Sequence, residues 1–435
     1  MRFRASDAAT ATGGRLVGPD IEIDGVGFDT RTLRSGQLFV PLIADRDGHA
    51  FIIDALAAGA AAYLTSCAAA GGTAIEVPDT LQALMALGAD RRRAFGGTVI
   101  GITGSVGKTS TKDMAWAALA ASRRTSANEH SFNNEQGLPT TILNAPDDTE
   151  VMVVEMGMRG FGEIEALCRI ARPHVGLVTR VAEAHSDRVG GIEGVAQAKS
   201  ELISALPPDG IAILNADDPR VRAMAARTAA PCLLFGESDD ADVRVRGVVL
   251  DELARPSFSL DTPWGRAEVR LLVSGRHMAT NAAAALACVG AVGGDLAAGA
   301  AALSTVTLTA MRMQVERAPS GAIILNDSYN ANPTSMRAAI DALVGLPAKR
   351  RVAILAVMAE ISDAATEHQA IAAYAEDRGI ELITIGTDLY GVPPTVDPVA
   401  ALGSLSGDDA VLVKGSRVAG LEKLVALLIA GDTAG

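Results

Sequence analysis

The chain has 435 residues, of which 49% are hydrophobic and 20% are charged, so a mainly disordered protein is excluded. Its 51 acidic and 38 basic residues give a net charge of -13, which argues against a nucleic-acid-binding protein, because such proteins usually carry a basic excess. The four cysteines lie far apart and form no Cys-x-x-Cys pair, which argues against a structural zinc site and a disulfide scaffold.

The N-terminal residues 1–7 lack an apolar signal core, and the small-residue stretch 282–294 is too short to span a bilayer. We therefore expect a soluble, cytoplasmic protein that does not span a membrane and binds no nucleic acid. We also expect it to be a monomer.

The first 96 residues predict a small mixed α/β unit. Residues 38–42 form an apolar strand pattern, residues 51–62 an alanine-rich helix pattern, and residues 63–65 a second short strand. Residues 91–97 read as the end of a helix followed by a linker.

Short apolar runs alternate with helix patterns through most of the remaining chain, which indicates parallel sheets covered on both faces. Residues 240–273 alternate more strictly and predict additional strands. Polar residues follow many of the runs, at the strand ends where open α/β sheets bind ligands. The runs are 98–103, 151–154, 175–179 and 211–214, then 323–325, 352–355, 382–385 and 411–413.

The strongest motif is a glycine loop between the strand at 98–103 and a helix that begins at Lys108. Gly104 and Gly107 allow a tight turn whose N–H groups point inward, while Lys108 can reach the outer phosphates of a nucleotide and Thr109 can bind Mg²⁺. Ile102 occupies the first glycine position of the strict motif. The alternative is a glycine turn before an ordinary helix. The predicted nucleotide-binding loop comprises Gly104, Ser105, Val106, Gly107, Lys108, Thr109 and Ser110.

Residues 103–109 resemble the ATP loop of the Mur ligases, the ATP-dependent amino-acid and peptide ligases of cell-wall synthesis. Residues 327–336 and 414–417 are similar to the type within this family that adds D-alanyl-D-alanine to UDP-N-acetylmuramoyl-tripeptide. The other segments that resemble family motifs are 29–31, 36–40, 47–49, 133–139, 155–157, 184–185, 198–201, 275–277 and 281–283.

The resemblance implies three α/β domains. These are a UDP-substrate domain at 1–96, a central P-loop ATPase-like domain with a parallel sheet at 97–310, and a C-terminal Rossmann-like domain at 311–435. It implies a peptide ligase of peptidoglycan precursor synthesis that uses ATP and Mg²⁺ and forms an acyl phosphate, giving ADP and phosphate. Its partners would be UDP-N-acetylmuramoyl-tripeptide and D-alanyl-D-alanine.

Four residues are the candidate catalytic groups: Lys108, Glu155, His185 and Lys199. Glu155 ends an apolar strand and can hold Mg²⁺, or it is a solvated strand-end acid. His185 would be a second metal contact, although a lone histidine is often structural. Lys199 lies in a helix pattern and could be merely solvated, but the resemblance implies a carbamylated lysine that binds metal. The predicted metal set is therefore Thr109, Glu155, His185 and carbamylated Lys199.

The resemblance also assigns nucleotide and substrate contacts outside the loop. Asn281 would read adenine, or cap its helix, and Arg312 would reach the γ-phosphate, or form a linker salt bridge. Residues 327–330 would contact the nucleotide, or form a tight turn, and Lys414 could instead be a solvated strand end. The remaining nucleotide candidates are Asp327, Tyr329 and Asn330, and the substrate candidates are Thr30, Arg31, His49, Asn133, Asn134, Lys414, Ser416 and Arg417.

Several positions depart from the family pattern: Val106 and Arg180 each replace a common asparagine, and Ser186-Asp187 replaces Leu-Glu. Two other functions stay open at this point. One is a family ligase that adds a single amino acid or acts on folate, and the other is a nucleotide-dependent switch without ligase activity.

Overall fold

The computed structural model describes residues 2–129, 132–183, 186–359 and 361–431. It contains three main sheets, and each sheet is built from one stretch of the chain. The predicted α/β class with a central parallel sheet is confirmed. The strands of the three sheets fall within 15–76, 98–270 and 314–414, and the boundaries 1–96, 97–310 and 311–435 stay predictions.

The first sheet has five strands in the order β2-β7-β6-β5-β4, and a separate antiparallel pair joins β1 to β3. The predicted helix at 51–62 is shorter in the structure. A 3₁₀ turn precedes it, and Gly59, at φ +96°, follows its end before the chain enters the next strand. The elements are β1 Arg2–Arg4, α1 Ala5–Thr12, β2 Arg15–Val17, β3 Glu22–Asp24, β4 Val26–Gly27, β5 Leu38–Phe39, α2 Ile52–Ala57, β6 Ala62–Thr65, β7 Thr73–Glu76 and α3 Thr80–Ala94.

The second sheet has nine strands in the order β16-β15-β14-β13-β12-β11-β8-β10-β9. Its strands pair in parallel from β9 to β14, and the predicted additional strands form the antiparallel end. The elements are β8 Thr98–Thr103, α4 Lys108–Ala120, β9 Thr125–Ala127, α5 Gly137–Asn144, β10 Val151–Glu155, α6 Glu163–Ala171, β11 Val175–Val178, α7 Ser186–Val189, α8 Ile192–Ser204, β12 Ile211–Asn215, α9 Pro219–Ala223, β13 Cys232–Gly236, β14 Val243–Leu250, β15 Pro256–Thr262, β16 Gly265–Arg270, α10 Met278–Ala291 and α11 Leu296–Leu303.

The third sheet has the order β17-β18-β21-β19-β20, and all its strands except β17 are parallel. Because β21 inserts between β18 and β19, its last residue, Lys414, pairs in register with Asp327 at the end of β18. The elements are β17 Gln314–Arg317, β18 Ile323–Asp327, α12 Pro333–Val344, β19 Arg350–Ala356, α13 Ala364–Glu376, β20 Glu381–Ile385, α14 Pro398–Leu402, β21 Asp409–Lys414 and α15 Glu422–Ala430.

The core that links the second and third sheets is built from small side chains. Ala282 and Ala285 of α10 are completely buried, and they belong to the same apolar cluster as Ile100 of the central sheet and Ala339 of α12. Alanines let helices and strands approach closely, which compensates for the low aromatic content. Within the described ranges, no helix combines the length and apolar character needed to cross a bilayer.

Candidate active site

The phosphate loop connects β8 to α4 and requires glycine at two positions. Gly104 has φ +150°, and a Cβ atom there would lie 1.9 Å from Thr179 Oγ1 on the neighbouring strand end. Gly107 has φ +82°, and its Cβ would lie 2.8 Å from Asn281 Oδ1. Side chains at these positions would displace the loop backbone, so both glycines are needed for a tight turn at the start of α4.

Lys108 is the first residue of α4, and its ammonium group lies over the loop. Nζ donates a 2.7 Å hydrogen bond to Gly104 O. Burial lowers the pKa of Lys108, the negative charge of Glu155 raises it, and the positive charge of Arg312 lowers it further. This location allows the ammonium to bind phosphate oxygens held by the loop.

Thr109 and Glu155 form the oxygen-rich centre of the site. Thr109 Oγ1 donates to Glu155 Oε2 at 2.7 Å, and both side chains are buried. Asn133 Nδ2 donates to the other carboxylate oxygen at 2.7 Å, and the Glu155 N–H donates to Asn128 Oδ1 at 2.9 Å. A hydroxyl and a carboxylate beside a phosphate loop are the hard oxygen ligands that Mg²⁺ prefers, so these residues fit the predicted metal.

Lys199 is buried in α8, close enough to Lys108 and Glu155 for their charges to act on it. Burial lowers its pKa well below the usual lysine value, the nearby charge of Lys108 lowers it further, and Glu155 opposes the shift. Across the part of the chain that the structure describes, no hydrogen bond or ion pair involves this ammonium group. A buried lysine with a depressed pKa is available as a neutral amine, which is the form that can react with CO₂.

The other loop residues hold the loop against β11. The Ser105 N–H donates to Arg180 O at 2.7 Å, and Ser105 Oγ donates to Ala182 O at 2.9 Å. Val106 O accepts a 2.6 Å bond from Thr179 Oγ1, and Ser110 is buried in the first turn of α4. These bonds attach the loop to the segment that follows β11.

Asn281 is the fourth residue of α10, so it is not the helix cap. Its amide faces Gly107, which places it beside the predicted nucleotide. Arg312 approaches from the third domain, with its guanidinium carbon 4.3 Å from the centre of the Tyr329 ring. Its Nε is buried without a hydrogen-bond partner.

Lys414 is buried and bonds within the third domain. Its Nζ donates to Asp327 Oδ2 at 2.5 Å and to Asn330 O at 2.9 Å. The Met313 N–H donates to Asp327 Oδ1 at 3.1 Å. Lys414 thus holds the segment 327–330 in place, and the alternative of a solvated strand end is wrong. Its predicted contact with substrate stays a prediction.

Ser416 and Arg417 follow β21. Ser416 is buried, and its Oγ accepts a 2.9 Å bond from the Ala359 N–H, which ties it to the loop after β19. Arg417 is exposed and forms a 3.1 Å ion pair with Glu422. His368 supports the same loop from α13, because its Nε2 accepts a 2.9 Å bond from the Met358 N–H. Of this group, Arg417 is accessible to a ligand.

The first-domain candidates Arg31 and His49 bond to residues of their own domain. Arg31 is exposed and bonds to Asp29, whose pKa it lowers to about 2. His49 donates from Nδ1 to Asp47 and accepts from the Ser66 N–H at Nε2, so it orders its own loop. Thr30 belongs to the same turn as Arg31.

Asn134 is exposed and accepts a 3.0 Å bond from the Gly137 N–H at the start of α5. Its neighbour Asn133 donates to Glu155, the predicted metal ligand. His185 lies outside the described residues, and its predicted metal contact stays a prediction. Within the described ranges, the structure contains no cluster of three acidic, histidine or cysteine side chains that could hold a metal.

The sequence analysis missed a supporting network behind the loop. Lys112 is buried, donates to Asn128 O at 2.7 Å and lies 3.0 Å from Asp113. Asp113 in turn accepts two bonds from Thr309, at 2.7 Å from the N–H and 2.8 Å from the hydroxyl. Lys112 follows Lys108 by one helical turn. That spacing places both lysines on the same face of α4 and could have indicated that Lys112 supports the loop.

Comparison with known proteins agrees with this geometry. The family model for the Mur ligase middle domain matches residues 102–289, and the model for the Mur ligase glutamate ligase domain matches residues 311–432. The UDP-N-acetylmuramoyl-tripeptide--D-alanyl-D-alanine ligase of Mycobacterium tuberculosis is 38% identical, over 94% of this chain and 93% of that protein. The chain belongs to the Mur ligase family.

Two solved Mur ligase structures are similar along their whole length. The crystal structure of MurF from Acinetobacter baumannii has a TM-score of 0.86 and 29% identity, and 99% of each chain is covered. The MurF ligase of Thermotoga maritima in complex with ADP has a TM-score of 0.82 and 25% identity, over 93% of this chain and 96% of that one. The predicted membership in the Mur ligases is confirmed.

Proposed function

We propose that this Mur ligase joins D-alanyl-D-alanine to UDP-N-acetylmuramoyl-tripeptide and consumes ATP, giving ADP and phosphate. The observation that carries the proposal is the cluster of Lys108, Thr109, Glu155 and Lys199 around one glycine loop, in which the last three side chains are buried. This cluster is suited to phosphoryl transfer, because it combines phosphate-binding cations with hard oxygen ligands for a metal. The names and full-length similarity of the relatives support the choice of substrates.

ATP binds with its phosphates against the N–H groups of the loop and the ammonium of Lys108. Asn281 lies beside the loop on the adenine side, while Asp327 and Tyr329 lie on the third-domain side. Thr109 and Glu155 would hold Mg²⁺, which would supply positive charge to neutralise the phosphates. His185 and carbamylated Lys199 complete the metal-binding set in this proposal.

The reaction has two steps. An oxygen of the terminal carboxylate of the tripeptide attacks the γ-phosphorus, and ADP leaves with the electrons of the broken P–O bond. The amine of the dipeptide then attacks the acyl carbon, loses a proton and expels phosphate. Lys108 and Arg312 stabilise the negative charge on the transferring group, since both are cations in a largely buried environment.

The first domain, residues 1–96, binds the UDP part, with Thr30, Arg31 and His49 as contacts. Asn133 and Asn134 bind the muramoyl part, and Lys414, Ser416 and Arg417 act on the peptide or acceptor side. The central domain at 97–310 and the C-terminal domain at 311–435 close over the nucleotide. The protein acts as a monomer in the cytoplasm, where the nucleotide substrates are made.

The test is phosphate release by purified protein given ATP, Mg²⁺, UDP-N-acetylmuramoyl-tripeptide and a panel of acceptors. Release should require the tripeptide substrate together with D-alanyl-D-alanine, and single amino acids should not replace the dipeptide. Lys108→Ala should abolish release, because it removes the only loop cation that bonds to Gly104 within the described residues. Lys349→Ala is the matched control, since this lysine is exposed and pairs with Asp408 on the surface.

Phosphate release that depends on a single amino acid instead of the dipeptide would contradict the acceptor assignment. ATP hydrolysis without any ligated product would favour a nucleotide-dependent switch. Full activity of the Lys108→Ala protein would overturn the nucleotide site itself.

A further inference from the structure

Asn128 lies between Glu155, the predicted metal ligand, and the segment that carries Asn133. It follows the edge strand β9, which pairs in parallel with β10, and only 2% of its surface is exposed. Its Oδ1 accepts a 2.9 Å bond from the Glu155 N–H, and its Nδ2 donates a 3.3 Å bond to Phe132 O. One buried side chain therefore bonds to the main chains of two segments that each carry a site residue.

The two bonds fix the orientation of the Asn128 amide. A main-chain N–H only donates and a main-chain oxygen only accepts, so the amide oxygen must face Glu155 and the amide nitrogen must face Phe132. Asparagine supplies one acceptor and one donor without a charge. Aspartate would lose the donor and would add a second buried negative charge beside Glu155. The residue type is therefore matched to both partners.

Lys112 holds the main chain of Asn128. The Lys112 side chain is buried, its Nζ donates a 2.7 Å bond to Asn128 O, and the same atom lies 3.0 Å from Asp113. Lys112 belongs to α4 and follows Lys108 by one helical turn. The helix that begins at the phosphate loop thus also fixes the residue that bonds to Glu155.

The second segment is fixed at the same time. Asn133 Nδ2 donates to Glu155 Oε1 at 2.7 Å, and the Gly157 N–H donates to Asn133 O at 2.8 Å. The Phe132 ring packs against Phe28 of the first domain, with ring centres 5.6 Å apart. Movement of Phe132 would therefore disturb a contact with the first domain together with the amide that orients the Glu155 carboxylate.

We propose that Asn128 is a positioning residue for the metal site. It fixes the main chain of Glu155 and the segment of Asn133, so that the Glu155 carboxylate faces Thr109, whose hydroxyl lies 2.7 Å from it. The inference rests on the proposed function, in which Glu155 binds Mg²⁺, and adds a residue that acts through Glu155 without touching the nucleotide. Loss of such an outer partner of a metal ligand commonly lowers metal affinity about 10- to 100-fold.

The test is calorimetry with the non-hydrolysable analogue adenylyl imidodiphosphate, in Mg²⁺ and in EDTA, together with denaturant unfolding. The unaltered protein should bind the analogue more tightly in Mg²⁺. In Asn128→Ala, the Kd in Mg²⁺ should rise about 10- to 100-fold, whereas the Kd in EDTA should stay within about twofold. Lys112→Gln should change the ratio of the two Kd values in the same direction but less, because Asn128 keeps both side-chain bonds.

Asn144→Ala is the matched control. The Asn144 side chain also bonds to one main-chain N–H and one main-chain oxygen, both of Val26, at 2.8 and 2.9 Å, but Asn144 is the last residue of α5. This variant should lose a similar amount of stability to Asn128→Ala and should keep the Mg²⁺ dependence of Kd. The comparison separates loss of a buried asparagine from loss of metal-ligand orientation.

An equal loss of affinity in Mg²⁺ and in EDTA by Asn128→Ala would overturn the inference, as would unchanged affinity in both. If Asn128→Ala does not fold, Lys112→Gln decides, and an unchanged ratio of its two Kd values would overturn the inference. Nucleotide binding by the unaltered protein that does not depend on Mg²⁺ would instead refute the proposed metal site, and this inference with it.

Discussion

Replacement of Lys414 by methionine tests whether this residue is a support or a substrate ligand. Lys414 has 1% of its side chain exposed and Asp327 has 14%, so the pair is removed from water. Removal of one partner from a buried pair generally costs about 3–5 kcal/mol, because the other charge is left buried. Asp327 keeps its bond from the Met313 N–H, so we expect a loss near the lower limit, about 3 kcal/mol.

A double variant tests the same prediction from the other side, by removing both charges of the pair. Combining Lys414→Met with Asp327→Asn removes both charges and preserves an oxygen that accepts from the Met313 N–H. Stability should return to within about 1 kcal/mol of the unaltered protein, since no buried charge remains unpaired. Activity should not return, because segment 327–330 loses the ammonium that holds it.

The assay is denaturant unfolding followed by circular dichroism, together with the KM of each substrate. Lys349→Met provides the control, because its ion pair with Asp408 is exposed and its loss should leave stability almost unchanged. If Lys414 served only to bind substrate, Lys414→Met would raise the KM of one substrate without lowering stability. That result would refute the reasoning.

Two further predictions concern the phosphate loop and the support of the loop after β19 by His368. Gly104→Ala should weaken ATP binding roughly 10- to 100-fold by calorimetry, because the new Cβ overlaps Thr179 and the backbone is strained by about 1–3 kcal/mol; Gly96→Ala, with open space around it, should bind normally. Burial lowers the pKa of His368, so its contribution to stability is complete above pH about 6.5 and is lost as the pH falls through the lowered value. His368→Gln should therefore reduce the acid destabilisation measured by denaturant unfolding between pH 7.5 and 5, and an unchanged slope would contradict this reasoning.

The parallel sheets were predictable because a continuous run of apolar residues indicates a strand that is buried on both faces. Such a run can be recognised from the sequence without knowledge of the strands beside it. The strand predicted at 98–103 coincides with β8, and the run at 151–154 differs from β10 by one residue. The helix predicted at 51–62 was wrong in length, because its start forms a 3₁₀ turn and Gly59 follows its end. Local turns depend on backbone angles that an alanine-rich pattern does not specify.

The phosphate loop was predictable because all its residues are consecutive in the sequence. The parts of the site that lie on strands far apart in the sequence were less predictable. Lys414 and Asp327 are brought together because β21 inserts between β18 and β19, and that strand order is not evident from the runs themselves. The sequence therefore identified both residues as important but did not pair them.

The backbone around Arg312 has a strained conformation that the residue types in this segment do not predict. The residues on either side of it, Met311 and Met313, both have positive φ, at 64° and 51°, a conformation that is unfavourable for side chains of this kind. The strain is held by two hydrogen bonds, one from the Tyr329 N–H to the backbone oxygen of Met311 and one from the Met313 N–H to the side-chain Oδ1 of Asp327. These same residues form the predicted nucleotide contacts of the third domain. In the proposed function, nucleotide binding against this segment would stabilise the strained turn that carries Arg312, whose charge already acts on Lys108 of the phosphate loop, and would couple domain closure to assembly of the site.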